Sequence, residues 1–306
     1  MEKANNESFK SELTGIIMLL IAALMWGSTF VAQDIAAETM PAFTFLMCRS
    51  WVAFVLLIPL GRFLAKKNIG QGNWNVTRKE KIMAGLICGS FMFFASFAQQ
   101  YGIAYTTTAK SSFITALYCV IVPIIYAVAK KGLPWKLWVS MILSVTGLYF
   151  LCITGKLVLG FGDSLTLLCA ILFSGQILFL NVYAWRIGGI RLTTYEIFVT
   201  AVFSTICAFI IEKPDINVIY QALPSILYAA VFSSIGGYTL QALAQTRVNP
   251  AIASIVMSLE SVFGALAGWL VQGQLLSSRE LFGCALMFTA IILAELPIPS
   301  KAAKNT

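Results

Sequence analysis

The chain has 306 residues, of which 59% are hydrophobic and 11% charged, whereas a soluble domain runs nearer half apolar and a quarter charged. A water-soluble globule of this size cannot bury 22 Phe and 7 Trp together with so many aliphatic residues, so lipid is part of the solvent. The formal charge of +8 does not point to nucleic acid, because the basic residues lie in short loops between apolar runs, and the absence of His removes Ser–His and Cys–His dyads and histidine metal sites.

Ten apolar stretches follow in chain order, at 13–32, 41–60, 82–101, 109–129, 135–154, 163–183, 194–211, 223–244, 251–271 and 280–296. Each is near the roughly 20 residues that a helix rising about 1.5 Å per residue needs to cross a bilayer. Lys10 before the first run gives it the look of a signal peptide, but the run is as long as its neighbours and is read as a span. The longest connection, 61–81, holds Gly70, Gly72, Asn73 and Asn75 and reads as irregular or as a short surface helix. Residues 297–306, after Pro297, read as a short disordered cytoplasmic tail. The seven cysteines sit in apolar runs without CxxC spacing and read as reduced, small apolar side chains; no metal and no cofactor are expected.

Loop charge orients the spans. One set of alternate loops, which includes both termini, carries sixteen Lys and Arg, and the other carries only Lys156, Lys213 and Arg279. By the positive-inside rule this is a multi-pass protein of the cell membrane, the inner membrane in a two-membrane cell, with cytoplasmic N- and C-termini.

An internal repeat accompanies the spans. Laying residues 104–151 over 246–293, an offset of 142, sets 109–117 on 251–259 and Tyr118 on Glu260. The fold expected is all-α, with ten transmembrane helices in two inverted five-helix repeats, 13–154 and 163–296, forming one membrane domain. An odd number of spans per repeat turns the second half upside down, an architecture of many secondary transporters, which place their substrate near the midplane where the halves meet.

Several motifs add a resemblance. They are Trp26-Gly27-Ser28-Thr29-Phe30 in the first span, Tyr105-Thr106-Thr107-Thr108-Ala109 leading to Pro123 in the fourth, Gly162-Asp163 opening the sixth, and Asn249-Pro250-Ala251 through Leu259-Glu260 to Gly268 and Gly273 in the ninth. In order and spacing they resemble the EamA branch of the drug/metabolite transporter superfamily, over about residues 13–296. The resemblance implies ten helices in two inverted repeats and export of small metabolites. The chain departs from that pattern at Ser261, where the family often has Pro, and at Gln274, where it often has Glu.

Polar groups at membrane depth are the candidate site, since a charge at the bilayer centre costs at least about 2.5 kcal/mol. Glu260 lies about ten residues into its span, at the midplane, and reads either as a proton-coupling carboxylate or partner of a substrate amine, or as a structural acid. Tyr118, its equivalent in the repeat, is expected on the facing wall of one central cavity. Arg49, some eight residues into the second span, either meets a substrate carboxylate or makes a structural pair. Gln176, Asn181 and Gln241 either hold helices together or line the path, Trp26 joins the binding candidates, and Pro123 is the candidate hinge. Lys110 reads as an interface anchor, and Gln99 and Gln100 as water-reached residues near a span end.

The function expected is secondary transport of a small zwitterionic or amphipathic molecule, such as an amino acid, with the bilayer as partner and proton coupling left open. A membrane channel and a membrane-embedded enzyme are the alternatives. No nucleophile–base motif supports the enzyme, and no ATP-binding loop supports ATP-driven transport by this chain alone.

Overall fold

The structure is a computed structural model that describes residues 2–72, 76–130, 132–153, 159–273 and 276–295. The tail at 297–306 and Gln274 lie outside these residues. Everything long is helical: α1 (Glu2–Ala37), α2 (Ala42–Lys66), α3 (Arg78–Ile103), α5 (Trp135–Cys152), α6 (Phe161–Ile187), α7 (Gly189–Glu212), α8 (Leu223–Ala244) and α10 (Ser278–Glu295). The fourth and ninth are each broken into two half-helices, α4a (Thr108–Thr115) with α4b (Tyr118–Lys130), and α9a (Pro250–Met257) with α9b (Glu260–Gln272). No strand occurs among the described residues.

Nine of these helices are long and apolar enough to cross a membrane among the described residues. The tenth, α10, has 18 residues and carries Arg279 and Glu280 at its start. The protein is an all-α, multi-pass integral membrane protein. Several helices run past the apolar limits of the sequence: α1 continues to Ala37, α3 to Ile103, and α7 begins at Gly189 rather than near 194.

Helix pairing repeats between the halves. The widest contacts join α3 with α6, α5 with α10, α2 with α7, α1 with α9b and α1 with α8. Exchanging each helix with the one five places later maps α3–α6 onto α8–α1 and α1–α9 onto α6–α4, and leaves α2–α7 and α5–α10 in place.

Because lipid is as apolar as Leu, the helices adhere through close packing of small residues rather than through the hydrophobic effect. At the α5–α10 crossing a Cβ on Gly283 would stand 2.6 Å from Gly147 O. At the α1–α9 crossing a Cβ on Gly27 would stand 2.5 Å from Glu260 O and 2.6 Å from Gly264 N. α1 therefore rests directly on the backbone where α9 is broken.

Both ends of the bundle are fastened by polar contacts. At the end that carries Arg62, Arg78 and Lys130, here the basic end, Arg186 of α6 pairs with Glu80 of α3 at 2.9 Å. At the opposite end Glu212 of α7 accepts from Phe43 N at 2.9 Å, Thr44 N at 2.7 Å and the Thr44 hydroxyl at 2.8 Å, capping α2. Asp163 there caps α6 through Gly160 N at 2.9 Å, accepts from the Thr106 hydroxyl and pairs with Lys110 at 3.3 Å. Lys110 is thus an ion-pair partner of the α6 N-terminus.

Candidate functional site

The two broken helices share their cap, their first serine bond and the place of their break. Thr107 Oγ1 accepts from Lys110 N at 3.2 Å to start α4a, and Asn249 Oδ1 accepts from Ile252 N at 3.0 Å to start α9a. One turn on, Ser112 Oγ donates to Ala109 O at 3.0 Å and Ser254 Oγ to Ala251 O at 2.9 Å. Such back-bonding by Ser competes with the backbone ladder and bends helices. The ladder then gives way at Ala116–Leu117 and at Ser258–Leu259, where Leu117 N reaches Ile114 O and Leu259 N reaches Val256 O, each at 3.2 Å. The second half-helices open at Tyr118 and Glu260.

The interruption therefore falls before Pro123, the candidate hinge, which lies buried within α4b. α9 breaks at the corresponding place although α9b contains no proline, so proline is not the cause.

Tyr118 and Glu260 meet. The Tyr118 hydroxyl donates to Glu260 Oε1 at 3.0 Å, the two residues standing 142 apart in the chain. Tyr118 is 3% and Glu260 5% exposed, so this pair lies inside the bundle. It borders a cavity of about 40 Å³ that is also lined by Trp26, Arg49, Gln176 and Gln241. Of the side chains singled out at membrane depth, these six face one space and Asn181 does not.

The cavity has an uneven supply of donors and acceptors. Arg49 on α2 is 3% exposed, and its Nη1 donates only to Gln33 Oε1 at 3.4 Å. Its guanidinium lies 5.7 Å from the Phe45 ring centre, and its Nε is buried with no hydrogen-bond partner. Neither salt bridge seen among the described residues involves it. The Trp26 indole nitrogen is likewise buried without a partner, its ring 5.2 Å from Tyr238. On the acceptor side stand Glu260 and Gln241 Oε1, the latter buried and unpartnered.

Behind this wall lies a carboxyl that the sequence reading missed. Glu196 of α7 is fully buried; its Oε1 accepts from Gln176 Nε2 at 3.2 Å, and Gln176 Oε1 accepts from Gln241 Nε2 at 3.1 Å. At an offset of 147, which sets the start of α2 on the start of α7, Glu196 is the repeat equivalent of Arg49. That offset comes from the observed helix starts; the offset of 142 read from the sequence sets Arg49 on Arg191 instead.

Gln99 and Gln100 are also placed differently from the sequence reading. α3 runs on to Ile103, so both are buried rather than water-reached: Gln99 lines the cavity and donates to Thr115 Oγ1 at 3.3 Å, and Gln100 donates to Gln33 O at 3.1 Å. Asn181 does not reach the cavity; its amide donates to Gln245 O at 3.0 Å, tying α6 to α8.

The two halves of the chain match one and the same family profile. The EamA-like transporter family matches residues 13–153 and again 160–296. The chain belongs to that family. An uncharacterized transporter of Archaeoglobus fulgidus is 29% identical over 282 residues, covering 92% of this chain and 85% of its own length. Uncharacterized transporters of Buchnera aphidicola subsp. Schizaphis graminum and Bacillus subtilis are 27% and 22% identical, over 83% and 90% of this chain and 84% and 94% of their own. A crystal structure described only as that of a protein matches with a TM-score of 0.73 at 16% identity, covering 92% of this chain and 96% of that one; at that identity the likeness speaks for the fold alone.

Proposed function

We propose that this membrane protein is a secondary transporter that exports small zwitterionic metabolites of the amino-acid kind. Its halves, 13–154 and 163–296, would alternate access to the central cavity, with both termini in the cytoplasm as the loop charges indicate. The observation that carries this reading is the uneven cavity. Buried donors on α1 and α2, Trp26 Nε1 and Arg49 Nε, have no acceptor, and α8 and α9 supply Gln241 Oε1 and Glu260. A carboxylate satisfies the first group and an ammonium the second, and Trp26, Phe173 and Tyr238 give an apolar side chain an aromatic wall.

The cavity's size supports a moving mechanism. At about 40 Å³ it holds a few waters at roughly 10–15 Å³ each, so a metabolite enters only when the halves separate. Glu260 can take up a proton during that cycle, because Tyr118 can donate to the carboxylate or accept from the acid.

The test begins with a comparison of metabolites released by cells with and without overexpression, followed by flux of the released compound in proteoliposomes at defined pH on each side. Glu260→Gln keeps shape and hydrogen bonding, so the protein should fold, transport more slowly and lose most of its pH dependence. Unchanged flux and an unchanged pH profile would make Glu260 structural. Flux that persists when the basic ends of α4 and α9 are cross-linked would point to a channel.

A further inference from the structure

A second, larger hollow lies at the basic end, between α4b and α6. It measures about 800 Å³ and is floored by the turn joining α8 to α9. Its apolar side opens toward the lipid: Ile125 is 45%, Val182 51% and Trp185 59% exposed. Its polar side holds Lys130, Arg247 and Gln245.

These three lack anionic or hydrogen-bonding partners suited to them. Neither salt bridge among the described residues uses Lys130 or Arg247. Arg247 Nη1 contacts only Leu243 O at 3.3 Å and Met18 Sδ at 3.4 Å. Gln245 is 2% exposed, and both polar atoms of its amide are buried without a partner. Orphaned buried amides are uncommon, and one bordering two uncompensated cations and an apolar wall suits a ligand with an anionic head and a hydrocarbon body.

We propose that this groove binds an anionic phospholipid from the leaflet at the basic end, its phosphate held by Lys130, Arg247 and Gln245 and its acyl chain lying on Ile125, Val182 and Trp185. The headgroup joins Lys130, which ends the half-helix begun at Tyr118, to the turn that leads into α9a. An occupied site therefore ties the two halves together at this end of the bundle.

Native mass spectrometry of the full chain in detergent, titrated with phosphatidylglycerol and with phosphatidylcholine of the same acyl chains, tests this. The intact protein should prefer phosphatidylglycerol. The double variant Lys130→Ala/Arg247→Ala should lose about thirtyfold in that preference, the roughly 2 kcal/mol that two surface charges contribute. Gln245→Leu, which removes no charge and leaves an apolar side chain of similar size, should lose a few-fold and carries the test if the double variant fails to fold. Phosphatidylglycerol binding unchanged in both variants would overturn the assignment. So would an equal loss of phosphatidylcholine binding, or displacement of phosphatidylglycerol by inorganic phosphate at matched concentration, which would make this a site for soluble anions.

Discussion

From Thr107 to Tyr118 and from Asn249 to Glu260 the same cap, the same serine back-bond and the same lost turn occur in the same order. The side chains set by that shared backbone are different. Tyr118 stands where Glu260 stands in the other half and bonds to it beside the cavity, and Arg49 of α2 occupies the place that Glu196 holds in α7. The membrane ends differ as well: the hollow between α4b and α6 holds Lys130, Arg186 and Arg247, and its counterpart between α1 and α9 holds Asp34 and Glu280. A further asymmetry is a π-helical stretch in α8, Ala229–Gly237, where α3 is regular; π segments recur at functional sites, and this one brings Ser233 to the cavity wall. The backbone symmetry makes two equivalent helix breaks, and the broken chemical symmetry gives the cavity beside them a donor side and an acceptor side.

Two substitutions strike hardest at that comparison. Arg49→Gln keeps a hydrogen-bonding amide but removes the only cation that lines the cavity among the described residues. If Arg49 receives a substrate carboxylate, affinity should fall by about 1.5–3 kcal/mol, roughly tenfold or more, as expected for a hydrogen bond to a charged group. A substrate analogue with its carboxylate amidated should bind the variant and the parent alike. Equal loss for both ligands would assign Arg49 to holding α1 and α2 together. Gly27→Ala probes the backbone half of the comparison. The added Cβ meets Glu260 O at 2.5 Å, Gly264 N at 2.6 Å and Phe263 Cβ at 2.7 Å, so α9 must move at its break. Overpacking of this kind costs about 1–3 kcal/mol, and thermal unfolding in detergent should report it; an unshifted Tm would mean that α1 does not seat on the break.

Much of this arrangement is legible in the sequence, for physical reasons. Lipid demands long apolar runs, so helix order and number follow from hydropathy. The offset of 142 put Tyr118 on Glu260 because repeated helices keep their register even where identity is weak. What hydropathy hides are the helical turns beyond the apolar limits. With Arg191 in its first turn, α7 reads by hydropathy as beginning near 194, which leaves Glu196 at a margin instead of two turns deep. α3 reads by hydropathy as ending at 101, which puts Gln99 and Gln100 in reach of water when they are buried. The helix breaks gave no signal of the usual kind, since neither Ala116–Leu117 nor Ser258–Leu259 contains Gly or Pro, and Pro123 lies beyond the break, inside α4b.

The remaining predictions sharpen the comparison at lower cost to the protein. Tyr118→Phe removes one hydroxyl from the pair and leaves its ring. It should weaken substrate binding by about 0.5–1.5 kcal/mol, the range for one ordinary hydrogen bond, with little change in Tm. A full loss of flux would instead show that the hydroxyl moves a proton to or from Glu260. The smallest effect is expected at the caps. Thr107→Ala and Asn249→Ala should each lower stability by about 1 kcal/mol, because each removes the acceptor for one otherwise unsatisfied N–H at a helix start. Exchanging the caps, Thr107→Asn with Asn249→Thr, should cost no more than about 0.5 kcal/mol, since both residues accept the same bond and rank close together as caps. Thermal unfolding of the three variants decides the matter. If the exchange costs as much as the alanines, the two starts differ in geometry, and the likeness of the broken helices holds only from Ser112 and Ser254 onward.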